Sequence, residues 1–130
     1  MAANKICVVV VSGSLERLQM AAMVASVGAV SGQEVMVFLS MNALAFFVKG
    51  NTSRASHEGE MGALMANKKV PEFKMLFEQA VELGDARIYP CSMAMDVLGV
   101  EQDGLEGYLE KATGLTKFLD DARDGQVWTF

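Results

Sequence analysis

Residues 5–11, KICVVVV, form a continuous apolar and β-branched run that ends at the turn Ser12–Gly13–Ser14. A strand with apolar side chains on both faces must be covered on both faces, which is typical of a parallel sheet between two layers of helices. Ser14 is a favourable N-cap residue, and residues 15–30 have the composition of a helix with Glu16 in its first turn. This first unit is therefore predicted to be strand, turn and helix, as in α/β proteins.

The same alternation of strand and helix patterns continues along the sequence. Further strands are predicted at residues 34–40, 86–90, 107–111 and 126–130. Helices are predicted within 41–50, from Pro71 to Gly84, at 92–99 and around 115–122. Residues 50–70 show no sustained period, which predicts one long irregular loop. We therefore expect a single domain, 1–130, built on a parallel sheet of about five strands with right-handed crossovers.

Charge and composition exclude several classes of protein. The formal net charge is −5, with seven acids and three bases between residues 101 and 124, so no nucleic-acid partner is expected. The longest uncharged apolar stretch, residues 18–30, is shorter than the ~20 residues of a membrane span. Two cysteines and one histidine give neither a disulfide framework nor a zinc site within the chain. The expected setting is the reducing cytoplasm, with no membrane span and no metal.

Polar groups are expected at the carboxyl ends of the strands, where ligands of open α/β sheets bind. The candidate binding residues lie in three turns and are Ser12, Gly13, Ser14, Ser40, Met41, Asn42, Ser92 and Met93. These turns are expected to converge with the 50–70 loop, which carries Arg54 and His57 as candidate assisting residues. His57 is either a general base or proton donor near Cys91, or a solvated loop residue. The turn at Gly13 could bind an anion at the start of the following helix, although its glycine spacing fits neither a phosphate loop nor a dinucleotide fold.

Cys91 is the candidate catalytic residue because it lies between a predicted strand and a predicted helix. Unpaired N–H groups and the positive end of the dipole at a helix start favour a thiolate, the nucleophilic form. The alternative is a small buried residue, which is how free cysteine commonly occurs. Cys7 is expected to be structural, since it lies within the first buried strand. The two cysteines are expected roughly 15 Å apart along parallel strands, too far for a disulfide.

Three stretches of the sequence resemble the DsrE/DsrF-like proteins, most closely the subfamily often labelled peroxiredoxin-like. They are ICVVVVSGSLERLQMAAMVASVGAVSGQEVMVFLSMNALAFFVKG, YPCSMAMDVLGV and GLTKFLDDARDGQVWTF. The resemblance implies a three-layer, flavodoxin-like α/β/α fold with a five-stranded parallel sheet, and assembly into homo- or hetero-oligomers. It also implies a role in sulfur relay, in which Cys91 has the position of the persulfide-bearing cysteine.

Three functions follow as hypotheses. The leading one is a sulfur carrier or sulfurtransferase-like protein, which needs a sulfur donor and an acceptor protein but no cofactor. The second is a small-molecule module that binds a nucleotide or flavin at the strand ends, and the third is an oligomeric scaffold with an inert thiol. A peroxidase cycle is not supported, because the chain has no resolving cysteine near Cys91. A homo-oligomer is expected because the first helix is apolar almost all round.

Overall fold

A computed structural model describes residues 4–130 of the protein. Its sheet is parallel throughout, with the strand order β3-β2-β1-β4. The strands are β1 (Lys5–Val10), β2 (Glu34–Leu39), β3 (Arg87–Pro90) and β4 (Gln126–Thr129). The two long apolar strands lie at the centre of the sheet, as the KICVVVV run predicts.

Helices connect the strands and cover the sheet. They are α1 (Leu15–Val30), α2 (Met41–Leu44), α3 (Glu60–Ala66), α4 (Phe73–Gly84), α5 (Ser92–Leu98) and α6 (Leu115–Asp121), with 3-10 turns at Ala45–Phe47 and Gln102–Gly104. Within residues 4–130, no helix combines the length and the apolar character needed to cross a membrane.

Helices α1 and α4 pack against each other on one face of the sheet. Gly28 of α1 lies directly over Ile6 and Val35, where an added Cβ would be 3.2–3.3 Å from their side chains. Gly84 at the end of α4 lies against the backbone and side chain of Ala29. Small residues therefore let the first layer of helices approach the sheet and each other closely.

Helix α6 covers the opposite face. The ring of Phe118 is 5.0 Å from that of Phe38 on β2 and 6.4 Å from that of Tyr89 on β3. Phe118 is almost fully buried, so this aromatic group anchors the second layer. Helices on both faces of a parallel sheet confirm the predicted α/β class and its flavodoxin-like layering.

The prediction of a fifth strand at residues 107–111 is wrong. This segment runs beside the outer edge of β3 but contributes only isolated backbone bonds. The N–H of Glu110 donates to the carbonyl of Ile88 (2.7 Å), and the N–H of Thr113 donates to the carbonyl of Pro90 (3.0 Å). Within residues 4–130 the sheet therefore has four strands, and its β3 edge is covered by irregular chain.

The side chain of Gln102 accounts for this irregularity. Its amide nitrogen donates to the carbonyl of Glu110 (3.0 Å), and its oxygen accepts the N–H of Ala112 (2.9 Å). Backbone groups held by a side chain are not available for a ladder with β3. The strand-like pattern of residues 107–111 does not show that Gln102 hydrogen-bonds to the backbone there.

The loop predicted over residues 50–70 is only partly irregular, because α3 occupies residues 60–66 within it. The remaining elements agree with the predicted ones to within about two residues at their ends, as is usual for helix and strand boundaries. The residues that carry chemistry lie where the strands end.

Candidate functional site

The turn after β1 is held by its own serines. The N–H of Ser14 donates to Oγ of Ser12 (3.0 Å), and Oγ of Ser14 accepts the N–H of Arg17 (3.3 Å). The second bond is the predicted N-cap of α1. Gly13 allows Asn42 to approach closely, since an added Cβ would lie 3.1 Å from that side chain. The turn after β1 and the start of α2 are therefore in contact.

The loop before α3 folds back onto the start of α1. The carbonyl of Ser56 accepts the N–H of Leu15 (2.9 Å). The carboxylate of Glu58 accepts Oγ–H of Ser14 (3.0 Å) and Nε–H of Arg17 (3.2 Å). A carboxylate of the chain thus lies beside the helix start, where the sequence suggested an external anion.

Glu16 joins α1 to α3. Its carboxylate accepts the N–H groups of Glu58 (2.9 Å), Gly59 (2.7 Å) and Gly62 (3.1 Å). Hydrogen bonds from these amides, first of all that of Glu58, hold the pKa of Glu16 below its usual value. Since Gly59 is the N-cap of α3, a distant carboxylate supplies the cap that this helix lacks locally.

An open groove of about 580 Å³ lies between these elements. It brings together six of the sequence-predicted residues, which are Ser12, Gly13, Ser14, Asn42, Arg54 and His57. Phe46 supplies an apolar wall, and Arg54 and His57 are exposed on the loop side. The groove thus combines a phenyl ring, an imidazole, several hydroxyl and amide groups, a guanidinium and the carboxylate of Glu58.

The other predicted residues lie around Cys91, outside the lining of this groove. The N–H of Cys91 donates to the carbonyl of Leu39 (2.9 Å), so Cys91 is beside Ser40 at the neighbouring strand end. Ser40 is buried, whereas Met41, Ser92 and Met93 are exposed. The three turns and the loop were predicted to converge at one site. Instead, the predicted residues divide between the groove and the neighbouring region around Cys91.

Cys91 is the N-cap residue of α5, but its thiol makes no capping hydrogen bond. The residue is 5% exposed. Its carbonyl accepts the N–H of Met95 (3.0 Å), and the N–H of Ser92 donates to the carbonyl of Thr113 (3.0 Å). The backbone of the cysteine is thus fixed on both sides, and the residue lies almost buried at a helix start.

Met41 has an unusual backbone conformation next to this cysteine. Its φ is +50°, in the left-handed region that methionine rarely adopts, and its side chain is more than half exposed. Such strain persists only where the surrounding structure holds it, and it is common near functional sites. No pattern in the sequence indicated it.

Cys7 lies fully buried in β1, and Cys7 and Cys91 are both free thiols. Burial raises the pKa of the Cys7 thiol, because the core disfavours the ionised form. Among residues 4–130, no group of three or more His, Cys, Asp and Glu side chains is arranged to hold a metal ion.

Glu16, Arg17, Glu58 and Thr113 were not among the predicted site residues. Glu16 had a visible signal, an acid in the first turn of a helix, but its partners are more than forty residues away. Contacts of this kind depend on the tertiary fold and leave no local spacing to detect.

A family model described as the DsrE/DsrF/DrsH-like family matches residues 48–130, which is more than half of the chain and includes Cys91. No curated protein matches the chain.

Two solved structures share the fold. One is the ychN protein from E. coli, at a TM-score of 0.71 and 15% identity, covering 99% of this chain and 100% of that one. The other is MTH1491 from Methanobacterium thermoautotrophicum, a protein of unknown function, at a TM-score of 0.65 and 9% identity, covering 98% and 99%. At these identities the similarity demonstrates the fold alone.

Proposed function

The chain belongs to the DsrE/DsrF/DrsH-like family, and we propose that it is a sulfur carrier in which Cys91 accepts a sulfur atom as a persulfide and passes it to a partner protein. The observation that carries the proposal is the position of Cys91, a free thiol at the N-cap of α5 within the segment that matches the family. The membership confirms the resemblance seen in the sequence. The role of the cysteine is the proposed part.

The proposed step is a thiol exchange in two halves. The Cys91 thiolate attacks the outer sulfur of a donor persulfide R–S–SH, a sulfur–sulfur bond breaks, and the products are Cys91–S–SH and R–S⁻. An acceptor thiolate then attacks the outer sulfur of Cys91–S–SH, which restores the Cys91 thiolate and leaves the persulfide on the acceptor. No net oxidation occurs, so neither a metal nor a redox cofactor is needed.

The surroundings of Cys91 suit such an exchange. The N–H groups of Met93 and Ala94 begin α5 and have no backbone acceptor among residues 4–130. They are the nearest helix-start donors for a sulfur anion at the N-cap position. Met41 and Met93 are exposed beside the nearly buried thiol, so a partner would meet two apolar side chains together with the exposed Ser92. The setting we propose is the cytoplasm, where thiols stay reduced.

The test is mass spectrometry of the full chain after incubation with a low-molecular-weight persulfide. We expect a gain of about 32 Da, one sulfur atom, located on Cys91. Cys91→Ser should lose the gain, and the matched control Cys7→Ser should keep it, because Cys7 is fully buried with a raised pKa. Equal sulfur uptake by Cys91→Ser and the unchanged protein would refute the proposal. Alkylation of Cys91 no faster than that of a free thiol would favour the scaffold with an inert thiol.

A second candidate function is small-molecule binding in the groove. Its volume of about 580 Å³ falls within the ~300–1,000 Å³ typical of ligand sites, and Phe46 and Arg54 suit an aromatic ligand with an anionic group. Adenosine monophosphate and flavin mononucleotide are the probes. Binding would raise the melting temperature of both the unchanged protein and Cys91→Ser, and Arg54→Ala would weaken it. No shift with either probe would count against this function.

A further inference from the structure

Ser40 and Cys91 lie on the same face of the sheet. Two residues earlier in each strand, Phe38 and Tyr89 are partners in the parallel register, and both rings contact Phe118 of α6. Successive side chains of a strand alternate between the two faces, and the backbones of Ser40 and Cys91 are still extended. The side chains of Ser40 and Cys91 therefore both point to the α6 face.

Hydrogen bonds continue the strand pairing to these two residues. The N–H of Cys91 donates to the carbonyl of Leu39 (2.9 Å), which is the bond of a parallel ladder in which Ser40 lies opposite Cys91. Neighbouring strands are about 4.8 Å apart, so the hydroxyl and the thiol are adjacent groups. On the other side, the N–H of Ser40 donates to the carbonyl of Val10 (3.0 Å), which places the apolar Val11 there. Cys91 is thus the polar neighbour of Ser40 across the strands.

The hydroxyl of Ser40 is nearly buried and has no partner in the described part of the chain. Among residues 4–130, the buried polar residues are Gln19 and Ser40, and Ser40 is 4% exposed. Nε2–H of Gln19 donates to the carbonyl of Pro71 (2.9 Å). Oγ of Ser40 makes no hydrogen bond within residues 4–130, although Ser40 is the N-cap residue of α2. Buried donors without an acceptor are uncommon and costly.

This hydroxyl reaches the surface beside the cysteine. Every fully buried side-chain nitrogen or oxygen among residues 4–130 has a partner, so part of the small exposure of Ser40 must belong to Oγ. Cys91 is similarly exposed, at 5%. A sulfur atom bonded to Sγ of Cys91 lengthens that side chain by about 2 Å. It thereby supplies an acceptor next to a hydroxyl that has none.

We propose that Ser40 binds the transferred sulfur, through a hydrogen bond from its hydroxyl to the outer sulfur of the Cys91 persulfide. The inference rests on the proposed sulfur-carrier function and adds to it a group for the outer sulfur. The N–H groups at the start of α5 serve the anion from the helix side, and Ser40 serves it from the neighbouring strand. Hydrogen bonds to an ionised acceptor are about twice as strong as neutral ones, so the hydroxyl favours the persulfide anion.

The hydrogen bond has a consequence for transfer. An acceptor thiolate attacks the neutral form, Cys91–S–SH, because the outer sulfur of the anion repels another anion. A donor that favours the anion therefore keeps the sulfur on the carrier between encounters with a partner. Removal of the hydroxyl should increase the neutral fraction and speed the loss of sulfur to small thiols.

The persulfide can be prepared without a biological donor, so the test does not depend on the carrier function. The Cys91 thiolate reacts with dipyridyl disulfide to give a mixed disulfide and pyridinethiolate. The anion HS⁻ then attacks Sγ of Cys91, the mixed disulfide breaks, and the products are Cys91–S–SH and a second pyridinethiolate. After removal of excess sulfide, the rate of persulfide alkylation by iodoacetamide is measured by mass spectrometry as a function of pH.

We expect the persulfide of Ser40→Ala to titrate about one pH unit above that of the unchanged protein, and to lose its sulfur to glutathione roughly tenfold faster at neutral pH. Ser92→Ala is the matched control, because Ser92 is exposed and adjoins Cys91 in the sequence. Its persulfide should behave as in the unchanged protein. The unloaded thiol should be alkylated alike in all three proteins, because the proposed bond exists only in the loaded form.

Two results would overturn the inference. One is a persulfide that titrates alike in Ser40→Ala and Ser92→Ala. The other is a shift in the alkylation midpoint of the unloaded thiol as large as that of the persulfide, which would give Ser40 a merely structural role. Failure of the carrier function has a different signature. A protein that takes up no sulfur from a donor persulfide, but shows the shift in Ser40→Ala after chemical loading, would refute the carrier role and support the hydrogen bond.

Discussion

At the scale of single residues, the contact between Glu16 and Gly62 decides whether α3 can dock. A Cβ added at Gly62 would lie 2.5 Å from Cδ of Glu16 and would also overlap His57. Gly59 contacts the same carboxylate, but a Cβ added there would be 3.5 Å from Oε2 of Glu16, which is an ordinary contact. Only one of these two glycines is therefore required by packing.

We predict that Gly62→Ala releases the loop before α3 and that Gly59→Ala does not. Overpacking of this kind costs about 1–3 kcal/mol, enough to expose the loop more often. Limited trypsin digestion should cut faster after Arg54 in Gly62→Ala. Equal cutting rates in the two alanine variants would mean that the loop does not depend on the Glu16 contact.

A second prediction at this scale concerns the titration of Glu16. Its pKa is lowered in the folded protein, so the contact contributes stability above the ordinary Glu pKa, and that stability is lost as pH falls through the folded value. The amide NMR signals of Gly59 and Gly62 should report a midpoint below 4.5, the unshifted value. Glu16→Gln should remove this titration, and a midpoint at or above 4.5 would contradict the assignment.

The residues could be predicted from the sequence where the interaction is local. The N-cap role of Ser14 and the position of Cys91 between β3 and α5 follow from neighbouring residues alone. The pairing of Glu58 with Arg17, and the left-handed backbone of Met41, arise from segments that meet only in the folded chain. Local spacing carries no information about these contacts.

At the scale of elements, the close approach of α1 and α4 depends on Gly84. An added Cβ would lie 2.5 Å from Cβ of Ala29 and 2.6 Å from its carbonyl carbon, which belongs to rigid backbone. Gly84→Ala should therefore lower the free energy of unfolding by about 1–3 kcal/mol, although alanine is the better helix former.

Urea denaturation followed by circular dichroism measures this effect. Gly107→Ala is the matched control, because no atom lies within 4 Å of a Cβ added at Gly107. Its stability should stay within about 0.5 kcal/mol of the unchanged protein, as for most surface substitutions. A Gly84→Ala variant as stable as the control would show that the two helices separate without cost.

Helices and strands marked by apolar runs or by a capping residue could be predicted from the sequence. A segment whose backbone groups hydrogen-bond to a distant side chain could not. β1, β2 and α1 follow from continuous apolar runs and from the cap at Ser14. The segment 107–111 has a strand-like pattern, but the side chain of Gln102 binds the carbonyl of Glu110 and the N–H of Ala112. Helix α3 is short and has no local cap, and the carboxylate that accepts the N–H groups at its start belongs to Glu16, a residue of another element.

At the scale of the whole molecule, the groups with shifted pKa values predict how the free energy of unfolding depends on pH. It should be highest at intermediate pH and fall toward both acid and alkaline pH. On the acid side, the pKa values of Glu16 and Asp124 are lowered in the folded state, that of Asp124 chiefly by its hydrogen bond from Lys5. Both carboxylates stabilise the fold fully when the pH is above the pKa of an ordinary carboxyl group. This stabilisation is lost as the pH falls through their lowered pKa values in the folded protein.

On the alkaline side, burial raises the pKa values of Cys7 and Tyr108. The unfolded chain then loses protons that the folded chain keeps, so stability falls once pH exceeds the ordinary values of 9.0 and 10.0. Thermal melts from pH 3 to pH 11 should trace this dependence. Cys7→Ala should begin its alkaline decline at higher pH than the unchanged protein, and an unchanged onset would exclude the contribution of Cys7.

The strand order also has a consequence for how the chain acquires its structure during synthesis. Of the four strands, β1 is made first, and it lies between β2 and β4. Ile6 pairs with Val35 soon after both emerge, but its other neighbour, Gln126, is made only after β2, β3 and all the intervening helices. A contact of such long sequence separation is slow to form. Until then β1 is itself the exposed edge of a nascent sheet, and a ribosome stalled before residue 126 would hold a chain prone to aggregate through it.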